Sequence, residues 1–161
     1  YSTDALLEQK TLQMPVVASE TKERLRSLLP AMASICSPEG YADITASATV
    51  RQHVDALRAV LGDERVDSVI FLTVVPSFLP QKELAEELIQ FLKEEDKSGK
   101  PVYVSVLAGN YVWGCRALLE SGGIKTFDEP ANAVSAVKNM TEYGMFLSDW
   151  KGGEEFEQIS E

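Results

Sequence analysis

Apolar positions along the chain alternate between helical and strand periods. Residues 4–7 read as the tail of a helix ending near Lys10, and residues 12–18 as a short strand weakened by Pro15. Ser19 is placed to cap a helix carrying Leu25, Leu28 and Leu29, which Pro30 stops. Residues 36–48 are a loop rich in small side chains. Thr49 followed three residues later by Gln52 has capping-box spacing, and Val50, Val54, Leu57 and Leu61 then repeat at helical intervals until Gly62.

Residues 66–75 form an almost unbroken apolar run, mostly β-branched, which predicts a strand covered on both faces. Leu84, Leu88 and Phe91, flanked by Ala85, Ile89 and Leu92, give the next helix a wide apolar face. Residues 100–109 predict a second buried strand. Asn110 stands where it can cap a helix holding Cys115, Leu118 and Leu119 and ending at Gly122 and Gly123. Residues 124–127 read as a last short strand, and Pro130 opens a helix with Ala133, Ala136, Val137 and Met140 on its inner side. After Tyr143 the periodicity is lost and the chain turns acidic. Residues 1–143 are therefore expected to form the domain, and 144–161 a linker or tail.

Strands alternating with helices of crossover length predict an α/β fold, a mainly parallel sheet between helical layers. The front is irregular. The first element is half a helix with no strand before it, so the unit is expected to lack its first strand.

Composition narrows the function classes. At 161 residues, 45% hydrophobic and 25% charged, the chain is long enough to bury a core as one globular domain. A net charge of −10 disfavours non-specific nucleic-acid binding, which depends on displacing counterions with cations. No apolar run is long enough to span a bilayer, and no signal peptide is visible, so a cytoplasmic location is expected. The chain begins at Tyr1, which reads as a fragment of a longer protein. Cys36 and Cys115 lack metal-type spacing and read as reduced thiols.

Candidate chemistry is sparse. His53, the one histidine, flanks an apolar helical stripe and reads as a surface or boundary residue rather than a catalytic one. No metal site can be assembled from one His and two scattered Cys. Glu83, Glu86, Glu87, Glu94, Glu95 and Asp96 read as a solvated acidic face, and Tyr111 and Trp113 as boundary packing at a strand-to-helix turn. Three strand-end segments remain, at residues 43–49, 75–78 and 108–110. All three are expected at the carboxyl edge of the sheet, where free N–H groups and helix dipoles favour anions. Thr45, Ser47, Thr49, Ser77 and Asn110 are the polar side chains there, and so the candidate phosphate-facing residues.

The ordered segments SETKERLRSLLPAMASI, DITASAT, LGDERVDSVIFLTVVP, KPVYVSVLAGN and ALLESGGIKTFDEPANAVSAV resemble the NDP-forming acyl-CoA synthetases, also called ADP-forming acetyl-CoA synthetases. The resemblance is to their second flavodoxin-like domain, which is similar to the carboxy-terminal domain of the succinyl-CoA synthetase β chain. It implies a flavodoxin-like three-layer sandwich within an enzyme that interconverts acyl-CoA, phosphate and ADP with acid, CoA and ATP. In that family a phosphorylated histidine on a neighbouring domain relays the phosphoryl group, and a separate ATP-grasp module holds the nucleotide with Mg. This domain would pack against the histidine-bearing and CoA-binding domains, in a parent protein expected to be oligomeric. It would offer one helix N-terminus, that of the helix after Pro80, to the phosphohistidine.

By this resemblance the chain holds no catalytic residue and binds no cofactor alone, and His53 is not the family's nucleophile. The strand and glycine-rich turn that usually precede the helix containing Asp4 are absent. A rival reading is a scaffold or regulatory module of a synthetase-like protein fused to an acetyltransferase.

Overall fold

The computed structural model describes residues 8–150 together with Asp4 and Leu6. Asp4 and Leu6 are helical, whereas Ala5 and Leu7 of the expected helix tail, and residues 151–161 of the expected tail, lie outside the described residues. Residues 12–18 are not a strand but an arm without ladder bonds. Pro15 in this arm lies against the turn at Gly40. A side chain at Gly40, whose φ is +72°, would come within 2.9 Å of the Pro15 ring.

Helix α1 (Ser19–Leu28) begins at the residue expected to cap it, so that Ala18 holds the cap position and there is no side-chain cap. It is followed by β1 (Ser34–Ile35) and β2 (Ala42–Asp43), a two-residue antiparallel pair whose second strand falls within the stretch expected to be loop. Helix α2 (Val50–Leu61) has the capping box that the spacing of Thr49 and Gln52 requires: the Gln52 N–H donates to Thr49 Oγ1 at 3.2 Å and the Thr49 N–H to Gln52 Oε1 at 2.9 Å. The Gln52 amide nitrogen also donates to the Leu28 carbonyl at 3.0 Å, tying the start of α2 to the end of α1.

Strand β3 (Val69–Val74) leads through a loop to α3 (Gln81–Gln90), which runs on as a π-helical turn, Phe91–Glu95. The Arg58 guanidinium lies 4.5 Å from the Phe91 ring centre and bonds Glu95 at 2.7 Å, holding that turn against α2. Strand β4 (Val102–Leu107), a 3₁₀ turn at Gly109–Val112, α4 (Trp113–Ser121), β5 (Thr126–Phe127) and α5 (Pro130–Trp150) complete the order. The sheet is parallel in the order β3-β4-β5, with Val69 opposite Val102 and Val74 opposite Leu107.

Because side chains alternate across a strand, the sheet has two distinct faces. Phe71, Val104 and Val106 meet Val54 and Leu57 of α2, Leu84 and Leu88 of α3 and Leu119 of α4 in the main core. Helix α5 packs on β3, β4 and β5, and its stripe of Ala133, Val134 and Val137 is buried. Helix α1 adds a smaller core against α2 through Leu25 and Leu29. The result is the α/β layering that the pattern predicts.

Two differences from the pattern matter. Helix α5 continues past Tyr143 to Trp150, since Met145 and Leu147 are good helix formers and the run holds no proline. Its last turns project beyond the sheet, so Met140, expected inside, is exposed. The second difference is at β3, expected to be covered on both faces. Leu72 and Val74, which alternate with buried Phe71 and Thr73, are exposed.

Asp63 fastens the arm to the sheet. Its carboxylate accepts from the Ala18 N–H at 2.7 Å and the Arg65 N–H at 3.0 Å. Lys100, entering β4, donates to the Asp63 carbonyl at 2.6 Å and the Leu61 carbonyl at 3.0 Å. Burial pushes the Asp63 carboxyl up. The Arg65 and Ala18 amides, the Thr21 hydroxyl and the Arg65 charge outweigh that and hold it below its ordinary value. Asp63→Ala leaves the Ala18 and Arg65 amides without this acceptor and is expected to cost about 1–3 kcal/mol in urea unfolding at neutral pH. A depressed folded pKa means that the native contribution is present above the ordinary carboxylate range. It is lost as pH falls through the folded value, so wild type and Asp63→Ala should converge in strong acid.

Candidate functional site

The parallel register that sets Val74 opposite Leu107 places the loops after β3 and β4 side by side at the carboxyl edge. The 43–49 loop joins them: Thr45 and Ala46 line the same cleft as Val74 and Pro76. Two of the three non-glycine residues with positive φ among the described residues lie in these loops, Thr45 at +68° and Ala108 at +139°. Backbone conformations of this kind cost about 1–3 kcal/mol each and cluster where a loop is shaped for a ligand or a partner.

The five sequence-predicted residues are distributed unevenly over this edge. Thr45 and Ser47 share a hydrogen bond between hydroxyls at 2.9 Å, and the Thr45 N–H donates to the Asp43 carboxylate at 2.8 Å. Asp43 thus brings a negative charge to that loop, which disfavours an anion beside Thr45. The Thr49 hydroxyl accepts from Gln52 as an N-cap, so α2 satisfies part of its own N-terminus. Asn110 does not cap a helix. It sits in the 3₁₀ turn, where the Tyr111 N–H donates to the Ala108 carbonyl at 3.3 Å, and α4 starts three residues later behind Val112 with no side-chain cap.

Ser77 is exposed in the tight turn after β3, in which the Leu79 N–H donates to the Pro76 carbonyl at 3.0 Å. Leu79 is therefore not a free donor. Pro80 occupies the N-cap of α3, and no side chain caps this helix. The missing proline N–H falls outside the first turn, so the amides of Gln81, Lys82 and Glu83 keep the orphan donors of a helix start. Of the helix starts at this edge, that of α3 is the one with a full α-helical first turn, no side-chain cap and no carboxylate bonded into its loop.

Periodicity did not single out the apolar surface around these donors. Val74, Phe78, Tyr111 and Trp113 are exposed by 59%, 68%, 52% and 65%, all at the ends of β3 and β4. Tyr111 and Trp113 are accordingly not boundary packing. Trp113 lies two positions before buried Cys115 and so points to the opposite side of α4, a signal that the helical period contains. Exposed aromatics gathered at one edge mark an interaction surface more than a solvent face.

His53 is also placed differently from its expected boundary position. It is 6% exposed, its ring is 6.0 Å from that of Phe71, and its Nδ1 lies 2.8 Å from the Thr49 carbonyl oxygen. Burial lowers its pKa, partly offset by that carbonyl. It is held in the core beneath the 43–49 loop. No group of three or more His, Cys, Asp or Glu among the described residues is arranged to hold a metal ion. No helix among them is long and apolar enough to cross a membrane.

Comparison with known proteins places this edge in context. Over 132 residues, 81% of the chain, the sequence is 33% identical to the Acetate–CoA ligase (ADP-forming) II subunit alpha of Pyrococcus furiosus. The chain is homologous to a stretch of that subunit. It spans 28% of the subunit's length. The crystal structure of PH0766 from Pyrococcus horikoshii OT3 superposes with a TM-score of 0.80 at 32% identity, covering 89% of this chain and 32% of that one. The dinucleotide-forming acetyl-coenzyme A synthetase 1 of Candidatus Korarchaeum cryptofilum has the same fold, with a TM-score of 0.75 at 22% identity, covering 89% of this chain and 30% of its own. That protein is also known in complex with phosphate and ADP. No family model matches the chain.

The buried histidine gives a test of the packing behind this edge. A folded pKa below the ordinary value of about 6.5 means that the unfolded chain takes up the proton first. Stability is therefore fully present above about pH 6.5 and declines as pH falls toward the folded value. Urea unfolding at neutral and mildly acidic pH should show this decline in wild type, and His53→Leu should flatten it. An equal decline in both proteins would mean that His53 titrates freely in the native state.

Proposed function

We propose that this chain is a domain of an ADP-forming acyl-CoA synthetase and that its carboxyl edge packs against the phosphohistidine-bearing domain. The 33% identity to the Pyrococcus furiosus ligase subunit over most of the chain carries this reading. The parent enzyme would interconvert acyl-CoA, phosphate and ADP with acid, CoA and ATP. Nucleotide, Mg and CoA are assigned to other modules of the parent enzyme, as the family resemblance implies.

What this chain contributes is positional and electrostatic. The exposed Phe78, Tyr111 and Trp113 supply apolar contact area, and the uncapped start of α3 presents its amides and the positive end of its dipole beside that area. A phosphoryl group on a partner's histidine would meet those donors without needing a charged side chain. Ser77 flanks the donors. Thr45, Ser47, Thr49 and Asn110 belong to the surrounding rim, where Asp43 engages the Thr45 amide, the Thr45 and Ser47 hydroxyls bond each other and the capping box engages Thr49.

The isolated chain, incubated with acetate, CoA and ATP, should show no turnover above a buffer blank. In the assembled enzyme, Ser77→Asp sets a carboxylate against the same amides. Dipole effects at a helix end run about 0.3–1 kcal/mol, or up to ~2 kcal/mol when partly buried. Phosphoenzyme formed from γ-labelled ATP should therefore fall severalfold in Ser77→Asp and little in Ser77→Ala, with the melting temperature unchanged or slightly raised by the acid. Undiminished labelling of Ser77→Asp would remove the α3 start from the phosphoryl path.

A further inference from the structure

The amino edge of the sheet, opposite the loops described above, carries a cleft of its own. Val69 and Val102 begin their strands there side by side, and α2 and the π-helical turn end there. The cleft has a volume of about 420 Å³ and is lined by four cations, Arg24, Arg58, Lys97 and Lys100, and by two carboxylates, Glu95 and Asp96. The whole chain has 15 Lys and Arg against 25 Asp and Glu, so the local balance reverses the overall sign. Both carboxylates are already engaged. Glu95 accepts from Arg58 Nη2 at 2.7 Å and from Gln90 at 3.3 Å, and Asp96 accepts from the Ser98 amide and hydroxyl, each at 3.0 Å.

The cations are used less fully. Lys97 donates to the Glu94 carbonyl at 2.8 Å, and exposed Arg24 has no ion pair among the described residues. Arg58 is pinned, with its guanidinium 4.5 Å from the centre of the buried Phe91 ring and bonded to Glu95. A guanidinium already held in place loses little freedom when it takes an oxyanion. The carbonyl end of α2 would repel an anion, but Lys100 covers it by donating to the Leu61 carbonyl at 3.0 Å and the Asp63 carbonyl at 2.6 Å. The wall that carries Phe91 and Glu95 is a π turn, closed by the Asp96 N–H donating to the Phe91 carbonyl at 2.7 Å. Turns of this kind are rare and occur often at functional sites.

We infer that this cleft is an anion site that takes a doubly charged oxyanion of the phosphoryl class on Arg24, Arg58 and Lys97. The three come from α1, α2 and the loop before β4, so tertiary packing gathers them, unlike a charge run along one helix face. Four cations against two carboxylates leave an excess of two positive charges, which a phosphoryl dianion matches and a single carboxylate does not. Its oxygens also accept from several directions at once, as donors on separate walls require. The site lies at the other end of β3 and β4 from the start of α3, so its occupant is distinct from the phosphoryl group considered there, and the inference does not require ligase chemistry.

The test is a ¹H–¹⁵N NMR titration of the full chain with inorganic phosphate at slightly alkaline pH, the ionic strength held constant with sodium chloride. The amides of residues 91–100 and the Arg58 Nε–H should shift saturably, with a dissociation constant of roughly 1–10 mM. Arg24→Gln combined with Lys97→Gln should weaken that binding roughly tenfold. The melting temperature should not change, because both side chains are exposed. Malonate, a dianion with its charge divided between two carboxylates, should bind several-fold more weakly than phosphate. Three outcomes would overturn the inference. One is shifts at residues 91–100 that do not saturate, which would mean mere screening of exposed charge. The second is phosphate binding by the double variant as tight as by wild type. The third is equal affinity for malonate, which would remove the phosphoryl class.

Discussion

The parallel pairing of β3 with β4 is the interaction on which the other features depend. Six residues in continuous register set Phe71 beside Val104 and Thr73 beside Val106, creating the face that α2, α3 and α4 cover. The same register aligns the carboxyl ends of both strands, so the loops that follow them become neighbours without any contact between the loops themselves. Aromatic side chains far apart in sequence, Phe78 and Trp113, are thereby brought to one edge.

Pairing on one side only has an equally direct consequence on the other side. A strand as apolar as β3 is normally central, because every backbone group needs a partner once water is excluded. Here one ladder is complete and the other side opens into a cleft, with the 12–17 arm held across from it. Asp63 keeps the arm there by accepting the Ala18 amide, and Pro15 against the Gly40 turn limits its movement. An exposed strand edge is a pairing hazard that folded proteins usually cover.

The carboxyl edge and the cleft beside β3 are different kinds of surface. The first presents amide donors at a helix start, strained loops and exposed aromatics, a combination suited to a polar group carried on a protein partner. The second presents one unpaired strand edge and aliphatic side chains. They meet at the 45–46 loop and Val74, which belong to both. Helix α5 adds exposed Tyr143, Phe146 and Trp150 beyond the sheet.

Local signals in the sequence determined the elements. The Thr49–Gln52 spacing specified the start of α2, Gly62 its end, Pro30 the end of α1, and the two β-branched runs the strands, because each acts through neighbours within four residues. The layered parallel architecture followed from their order, and the ordered segments by themselves resemble the synthetase family. Tertiary structure alone decided what depends on distant chain. It turned His53 into the core against Phe71, withdrew Asn110 from a cap into a 3₁₀ turn, and exposed Trp113. It also bound Asp43 to the loop expected to attract an anion, and left Leu72 and Val74 of β3 exposed and one edge of that strand without a ladder partner. Periodicity specifies which side of an element is apolar. Whether that side is filled depends on what the rest of the chain brings to it.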